Sequence, residues 1–287
     1  MRVAYFCGEF ENVKRFVAAA LTAFLPLSAH AQDHLTETLT PEPRPYPYAI
    51  LDIQPGAEAM EASSMFGERM MLVLVPEQVA LRVENGEGRA FALTFDQKLV
   101  TQGVGLHTRM GRDPYTEITA TLATEAMGGR VLQIRRTMRE PNENLPEPAA
   151  LIAQLEERYG PPSQRTAYGA TWAWGDEGFI PDLDGQPLHE ITTVDRFGSR
   201  KTTQYRPCSG GFSGDAEYRF RQHRETQIMP GCTALFSVSF NGGAQTSTVS
   251  FSLTDFDLIR QHVAEVDRQI IEALTDDAPV APADMDL

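Results

Sequence analysis

Two alternating segments joined by a tight turn constrain the fold most strongly. Residues 232–240 and 246–253 alternate apolar and polar side chains, and Asn241-Gly242-Gly243 lies between them. Asn-Gly dipeptides favour the positive backbone angles of tight β-hairpin turns. The pattern therefore predicts an antiparallel hairpin with one face buried and the other in contact with solvent.

A helix followed by strands occurs twice along the chain. The first predicted helix has apolar residues at helical spacing, at Ala59, Ala62, Phe66 and Met70. The second has one apolar stripe, formed by Leu151, Ile152, Leu155 and Tyr159. Strand-like segments follow each helix, at 78–83, 89–95, 116–124 and 130–138 and then at 166–174, 216–221, 232–240 and 246–253. This order predicts two related units, each with a helix on an antiparallel sheet.

A further helix is predicted after the last strand. Thr254 is expected to cap it, with Asp257 near the capping-box position. Its core face consists of Leu258, Ile259, Val263, Val266, Ile270 and Leu274. The predicted fold class is therefore α+β, with two helix-plus-antiparallel-sheet units at 49–140 and 141–275, the second of which includes the C-terminal helix. The two units can form one compact body.

A cleavable export signal lies near the N-terminus. Lys14 and Arg15 form a positive start, an apolar stretch of about a dozen residues follows, and Ala29-His30-Ala31 matches a small-x-small cleavage site. The stretch is shorter than the roughly 20 residues of a bilayer-spanning helix, and no later segment is apolar enough to span. The pattern predicts removal of residues 1–31, a mature chain that begins at Gln32, and a periplasmic or secreted protein.

The segments that flank the predicted folded region are charged or proline-rich. Glu9 and Glu11 give the first twelve residues a negative charge that does not suit an export signal, so we expect translation to begin at Val13. Residues 32–48 have alternating prolines and are predicted to be an exposed, extended lead-in. Residues 276–287 are acidic and without periodicity, which is typical of a disordered tail.

The whole chain is acidic, with a formal net charge of −14 at pH 7. Phosphate binding needs clustered Lys and Arg side chains, so nucleic acid and anionic membrane surfaces are not expected as partners. We interpret the charge as a well-solvated surface rather than as a dedicated cation site. The expected partner is another protein of the cell envelope.

Two cysteines, Cys208 and Cys232, remain in the predicted mature chain, since Cys7 precedes the cleavage site. An even pair in an oxidising compartment is typical of a disulfide. Such a bond closes a loop of about 25 residues and contributes roughly 3–4 kcal/mol on the chain-entropy model. The alternatives are a free thiol or a metal-binding pair, but neither cysteine has His or Cys neighbours at ligand spacing.

The second unit resembles a recurrent module of bacterial envelope proteins. The resemblance rests on a helix, the segment Tyr159-Gly160-Pro161-Pro162-Ser163, and a strand with Trp172 and Trp174. Similar segments occur in uncharacterised proteobacterial exported proteins, in domains related to beta-lactamase inhibitor protein, and in the small lipoprotein of the outer-membrane assembly machine. Asp52-Ile53-Gln54-Pro55-Gly56 resembles the opening of the same module, although Ala57 replaces the usual larger apolar residue and no lipid-attachment Cys is present. The resemblance implies a fold and a compartment, and it carries over no active site.

No catalytic, cofactor or metal motif stands out from the sequence. The histidines have no pair at metal-ligand spacing, and the acidic, Gly-rich loop at 176–185 lacks the full calcium-loop pattern with its terminal Glu. Ser213, between Gly211 and Gly214, has the wrong glycine spacing for a nucleophile elbow. We therefore predict no catalytic residue, no cofactor and no metal site.

Three aromatic residues form the candidate interaction surface, namely Trp172, Trp174 and Phe179. The two tryptophans share one face of a predicted strand, because side chains alternate along a strand. If that face is buried, the rings pack in the core. If it is open, they form a binding site for a partner.

These features predict an exported, non-enzymatic binding or interaction protein of the cell envelope. Its sheet faces, rather than a catalytic cleft, are expected to bind the partner. The alternative is a secreted hydrolase or enzyme inhibitor whose site is built from loops. A deep cavity with converging polar side chains favours the enzyme, and a broad concave sheet with exposed aromatic residues favours the binding protein.

Overall fold

The computed structural model describes the chain in seven segments, which are 2–6, 33–111, 113–194, 199–209, 216–220, 230–243 and 245–275. The predicted export signal from Lys14 to Ala31, the mature N-terminus Gln32 and the acidic tail at 276–287 lie outside these residues. No helix in the seven segments combines the length and the hydropathy that a membrane crossing requires.

The described residues form one large antiparallel sheet, a separate two-stranded hairpin and four α-helices. The helices are α1 (Ala59–Met70), α2 (Leu106–Met110), α3 (Pro148–Tyr159) and α4 (Phe256–Thr275). The strands are β1 (Arg2–Phe6), β2 (Leu74–Glu84), β3 (Ala90–Thr101), β4 (Tyr115–Leu122), β5 (Val131–Pro141), β6 (Gln164–Thr166), β7 (Gly169–Gly175), β8 (Gly178–Ile180), β9 (His189–Val194), β10 (Arg200–Tyr205), β11 (Ala234–Gly242) and β12 (Thr246–Asp255). The predicted α+β class is confirmed.

The strands of the large sheet follow the order β1-β2-β3-β4-β5-β12-β11-β7-β6, and β8 pairs with β7. The predicted hairpin is present as β11 and β12, with Ser237 opposite Ser252. β12 also pairs with β5, from Thr246 opposite Pro141 to Thr254 opposite Gln133. Because β5 comes from the first predicted unit and β12 from the second, one continuous sheet joins both units into a single body.

Helices α1 and α3 cover one side of the sheet, which we call the α1/α3 face. Their buried side chains, Phe66 and Ile152 among them, form one apolar cluster with Trp172 and Phe236 of the sheet. The chain returns from α3 onto the sheet through a left-handed Gly160, with φ of 80°. The Trp172 indole N–H donates a hydrogen bond of 2.8 Å to the Gly160 carbonyl. The predicted packing of α3 on the strand of Trp172 and Trp174 is therefore present.

The described elements cover only part of the opposite side of the sheet, which we call the α4 face. All six residues of the predicted core face of the last helix are buried against the first strands of the sheet. The cap differs from the prediction, since the Leu258 N–H donates to the Asp255 carboxylate at 2.7 Å. The hydroxyl of Thr254 instead accepts a hydrogen bond from the Gln133 amide in the sheet.

The lead-in is extended and exposed at many positions, but it is anchored by three buried side chains, which was not predicted. Leu35, Tyr46 and Tyr48 are buried, and Tyr46 donates a hydrogen bond of 2.7 Å to Asp255. Arg44 Nε lies 2.8 Å from the same carboxylate. The prolines do keep this segment out of helices and strands, but the residues between them supply apolar area and polar partners to the core.

Two further strand predictions need correction, and one hairpin was not predicted. Residues 166–174 do not form one strand, because a turn at Ala167-Tyr168 separates β6 from β7. Residues 216–220 alternate in burial as predicted, with Ala216, Tyr218 and Phe220 inside, yet they pair with no strand among the described residues. The hairpin of β9 and β10 was not predicted, because its polar, Thr-rich segments have little apolar alternation.

β1 occupies the outer edge of the sheet, with Arg2 opposite Glu84 and Phe6 opposite Ala80. A chain that begins at Val13, or that is cleaved after Ala31, lacks this strand. β2 would then be the edge strand of the sheet.

Candidate functional site

The predicted disulfide between Cys208 and Cys232 is present, and their Cα atoms lie 5.0 Å apart. Both residues are buried in the cluster beneath α4. The bond ties the segment after β10 to the residues that lead into β11. It therefore fixes one wall of the surface described below.

The predicted aromatic surface is not an open platform. Trp172 has no exposed surface, and it packs 5.6 Å from the Phe236 ring on the α1/α3 face. Trp174 and Phe179 lie opposite each other on β7 and β8, and both are half-buried against the same cluster. Of the two alternatives, Trp172 therefore packs in the core, because α3 and the lead-in cover the face on which it lies.

A polar cavity of about 590 Å³ lies on the part of the α4 face that the described residues leave open. Strands β5, β7, β11 and β12 form its floor. Six hydroxyl side chains on these strands define what we call the hydroxyl trough, namely Thr137, Thr171, Ser237, Ser239, Ser250 and Ser252. Each is half-buried or exposed, so the hydroxyls can reach a ligand in the trough.

The register of the sheet places these side chains in rows across the strands. One row contains Thr171, Ser237, Ser252, Arg135 and Thr119 on five adjacent strands. The next row contains Ser239, Ser250, Thr137 and Glu117. Directly paired residues of an antiparallel sheet point to the same side, so each row is one line of polar groups. The Thr137 and Ser250 hydroxyls lie 3.3 Å apart and confirm that the row is continuous there.

The two ends of the trough differ in polarity. Leu183, Leu235 and Cys208 line one end, next to the disulfide. At the other end a second cavity of about 260 Å³ shares Arg135 and Thr137 with the first. The first end is not purely apolar, because the Gln164 amide also lines the cavity and donates a hydrogen bond of 3.2 Å to the Asp184 carboxylate. We call the second end the charged wall.

Ion pairs order the charged wall. Arg109 pairs with Glu117, and hydrogen bonding to this carboxylate raises the pKa of Arg109. Lys98 pairs with Glu217, which also contacts Arg219. These contacts hold the side chains of Arg109 and Lys98 in place beside the second cavity.

The chemistry available in the larger cavity is hydrogen bonding. Among the described residues, its walls contain hydroxyls, amides and one guanidinium, and no His, Asp or Glu. A serine needs an adjacent base to act as a nucleophile. Neutral hydroxyls both donate and accept hydrogen bonds, so this surface is suited to binding a polar ligand.

Other candidate groups have structural roles. His262 lies on the buried side of α4, and its Nε2 accepts the Thr124 N–H at 2.8 Å. In the acidic loop, Asp182 accepts backbone N–H groups of Asp184 and Gly185, which stabilises a turn. Within the part of the chain that the structure describes, no three His, Cys, Asp or Glu side chains converge as metal ligands.

The apolar–polar alternation of the sequence predicted a solvent-exposed face where the trough lies, but it did not identify that face as a site. The alternation of 232–240 predicted one wet face for the hairpin, and Ser237 and Ser239 lie on that face. The contributions of Arg135, Thr137 and Thr171 depend on strand order, which alternation along one strand does not contain. Ser213, the nucleophile-like position, lies outside the described residues.

Comparisons of the chain with protein-family models, with curated proteins and with solved structures gave no match. The resemblance to exported envelope modules therefore stays a prediction, and the geometry of the trough is the basis for the function proposed below.

Proposed function

We propose that the protein is an exported, non-enzymatic binding protein of the cell envelope, and that it binds its partner in the hydroxyl trough. The observation that carries this proposal is a sheet face left uncovered by the described elements and lined by rows of polar side chains. The opposite face of the same strands is buried under α1 and α3. At these strands, one face of the sheet therefore packs in the core, and the other face supplies a surface.

The lining of the trough supports binding rather than hydrolysis. The larger cavity has many hydroxyls but no described base that could activate one of them. Its floor is one face of a single sheet. The hydrolase alternative depends on a loop site around Ser213, and the enzyme-inhibitor alternative would use the trough itself as the docking face.

The disulfide supports an oxidising, non-cytoplasmic compartment. The export-signal pattern accounts for how the protein would reach that compartment. It predicts cleavage after Ala31 and a mature N-terminus at Gln32. N-terminal sequencing of the exported protein tests this part directly. A mature chain that starts at residue 12 or earlier would contradict it.

Site-specific crosslinking in cells tests the binding proposal. A photoreactive amino acid at Ser239, which is exposed in the trough, should form an adduct with an envelope protein. The same group at Gln154, which is exposed on α3 behind the other face, is the matched control. Equal adducts at both positions, or none at Ser239, would contradict a partner in the trough.

A further inference from the structure

We propose that the outer edge of β2 in the exported protein binds an extended strand of a partner protein. The structure pairs this edge with β1 over five residues, from Arg2 opposite Glu84 to Phe6 opposite Ala80. The predicted export cleavage removes β1, so the backbone groups of β2 that pair with it become available to another strand.

This edge is a different surface from the hydroxyl trough. Strands β3 and β4 separate β2 from β5, the nearest strand of the trough. The inference therefore goes beyond the proposed function, and it shares with that function only the removal of residues 1–31.

The backbone of β2 is regular where β1 pairs with it. From Gln78 opposite Asp96 to Glu84 opposite Ala90, β2 pairs with β3 without a break. A strand in an antiparallel sheet directs backbone N–H and C=O groups to both of its neighbours. Among the described elements, only β1 lies on the side of β2 away from β3. Without β1, residues 80–84 present a regular row of outward backbone donors and acceptors.

Only the first part of β2 has features that prevent edge pairing. Pro76 has no N–H to donate, and a bulge interrupts the pairing with β3 between Glu77 and Gln78. Beyond the bulge, the charge of Arg82 is neutralised by Glu84 at 2.8 Å. β1 pairs with this second part alone.

The opposite edge of the large sheet is built differently. Strands β6 and β8 lie along it, and each has only three residues. Short edge strands are one of the ways in which proteins prevent pairing with other chains. Among the described strands of the large sheet, the second part of β2 is therefore the edge best suited to accept another strand.

The side chains of β2 determine which strand fits the edge. Leu81 and Val83 are buried in the same cluster as the apolar residues of α4, whereas Ala80 and Arg82 are exposed. Directly paired residues of an antiparallel sheet lie on the same side. A partner strand therefore needs apolar residues opposite Leu81 and Val83, with residues that tolerate solvent between them.

The sequence and register of β1 fit this requirement. Val3 and Tyr5 lie opposite Val83 and Leu81, and Arg2 comes opposite the acidic residue at the end of β2. β-branched and aromatic residues favour strands, and opposite charges on paired residues stabilise the pair. The expected partner segment is thus a short strand that starts with a basic residue and continues with alternate β-branched or aromatic residues.

A second copy of the chain suits the edge less well than a partner strand. A symmetric pairing of two copies over residues 80–84 places Arg82 opposite Arg82, and like charges on paired residues are unfavourable. Each copy also has a formal net charge of −14, so two copies repel each other. We therefore expect a different protein as the donor of the strand.

Hydrogen exchange followed by mass spectrometry tests this edge. The probe is the end-blocked peptide Lys-Arg-Val-Thr-Tyr-Thr-Val-Lys, added to the exported, disulfide-bonded protein. At saturation, exchange in residues 79–84 should slow about tenfold, the effect of one net hydrogen bond. Exchange in β5, which already has a neighbour on each side, should not change.

The matched control peptide has the same side chains and N-methyl groups on its two central residues. Successive N–H groups of a strand point to opposite neighbours, so one of the two blocked groups must face β2. This peptide should give no protection. The chain made from Met1 and oxidised in vitro keeps β1, and it should show slow exchange in residues 79–84 without any peptide. Equal protection by both peptides, or no protection by the probe, would overturn the inference.

Further outcomes separate this inference from the proposed function. If the exported protein begins at Gln32 and the probe fails, the edge inference is wrong, while crosslinking at Ser239 still decides binding in the trough. If the exported protein retains Arg2–Phe6, the edge is occupied by its own strand and the inference is also wrong. If residues 79–84 are protected without peptide and lose protection on dilution, the occupant is a second copy, which contradicts a partner strand.

Discussion

Single residues of this protein show how burial determines chemistry. His262 is fully buried, and its Nδ1 has no hydrogen-bond partner among the described residues. Because Nε2 accepts a hydrogen bond from the Thr124 N–H, the ring is neutral with its proton on Nδ1. Burial lowers the pKa of His262 to about 3.

This pKa predicts a loss of stability in mild acid. The folded pKa lies below that of an unfolded histidine, about 6.5, so the unfolded chain binds the proton first. The contribution of His262 is therefore complete above pH 6.5 and is lost as the pH falls towards 3. Denaturant titrations should show that His262→Gln removes a slope of about 1.4 kcal/mol per pH unit between pH 6 and pH 4. An unchanged slope would show that the native ring takes up the proton.

Ile152 and Leu155 test how α3 is anchored. Ile152 is buried, whereas Leu155 is only partly buried. Ile152→Ala should lower the free energy of unfolding by about 2–4 kcal/mol, and Leu155→Ala should lower it by less. The exposed Gln154→Ala is the control and should change little. Equal losses for all three variants in urea titrations would contradict the packing of α3.

Among the elements, the lead-in and α4 are joined by one buried carboxylate. Asp255 has no exposed side-chain surface, and it contacts Arg44, Tyr46 and the Leu258 N–H. Burial raises its pKa, and the Arg44 guanidinium opposes that rise. Removal of Arg44 leaves the Asp255 carboxylate buried without its ion-pair partner. Removal of Asp255 leaves Arg44 with only its longer contact to Asp257, at 3.7 Å.

A double-mutant cycle measures this junction. Arg44→Ala and Asp255→Ala should each lower the free energy of unfolding by about 3–5 kcal/mol. The double variant should lose clearly less than the sum, because the two side chains act on each other. Additive losses in calorimetric or urea unfolding would mean that the lead-in is not anchored through this pair.

The sequence predicted elements better than it predicted their contacts. Apolar periodicity located α1, α3 and α4, because each helix must bury one stripe. The lead-in was misjudged, because its prolines exclude regular structure but do not determine whether Tyr46 and Tyr48 are covered. The α4 cap was misplaced by one residue, because Thr254 and Asp255 are both residue types that favour a helix N-cap, and the sequence does not show which side chain meets the first turn.

For the whole molecule, the main consequence of the fold is that one sheet has two uses. The α1/α3 face is apolar and closed, and it contains the tryptophans that the sequence offered as a surface. The trough lies on the other face, where polar residues from four separate strands meet. The trough exists because the strand order brings these residues together. Periodicity along one strand could therefore predict a solvent-exposed face, but not a site formed by four strands.

The most direct test of the account is to fill the trough and measure partner capture. Ser252→Trp places a large ring on the floor of the trough, at the position opposite Arg135. With the photoreactive group at Ser239, this variant should lose most of its envelope-protein adduct while its melting temperature stays within a few degrees of the natural protein. Undiminished capture by the folded Ser252→Trp variant would contradict binding in the hydroxyl trough.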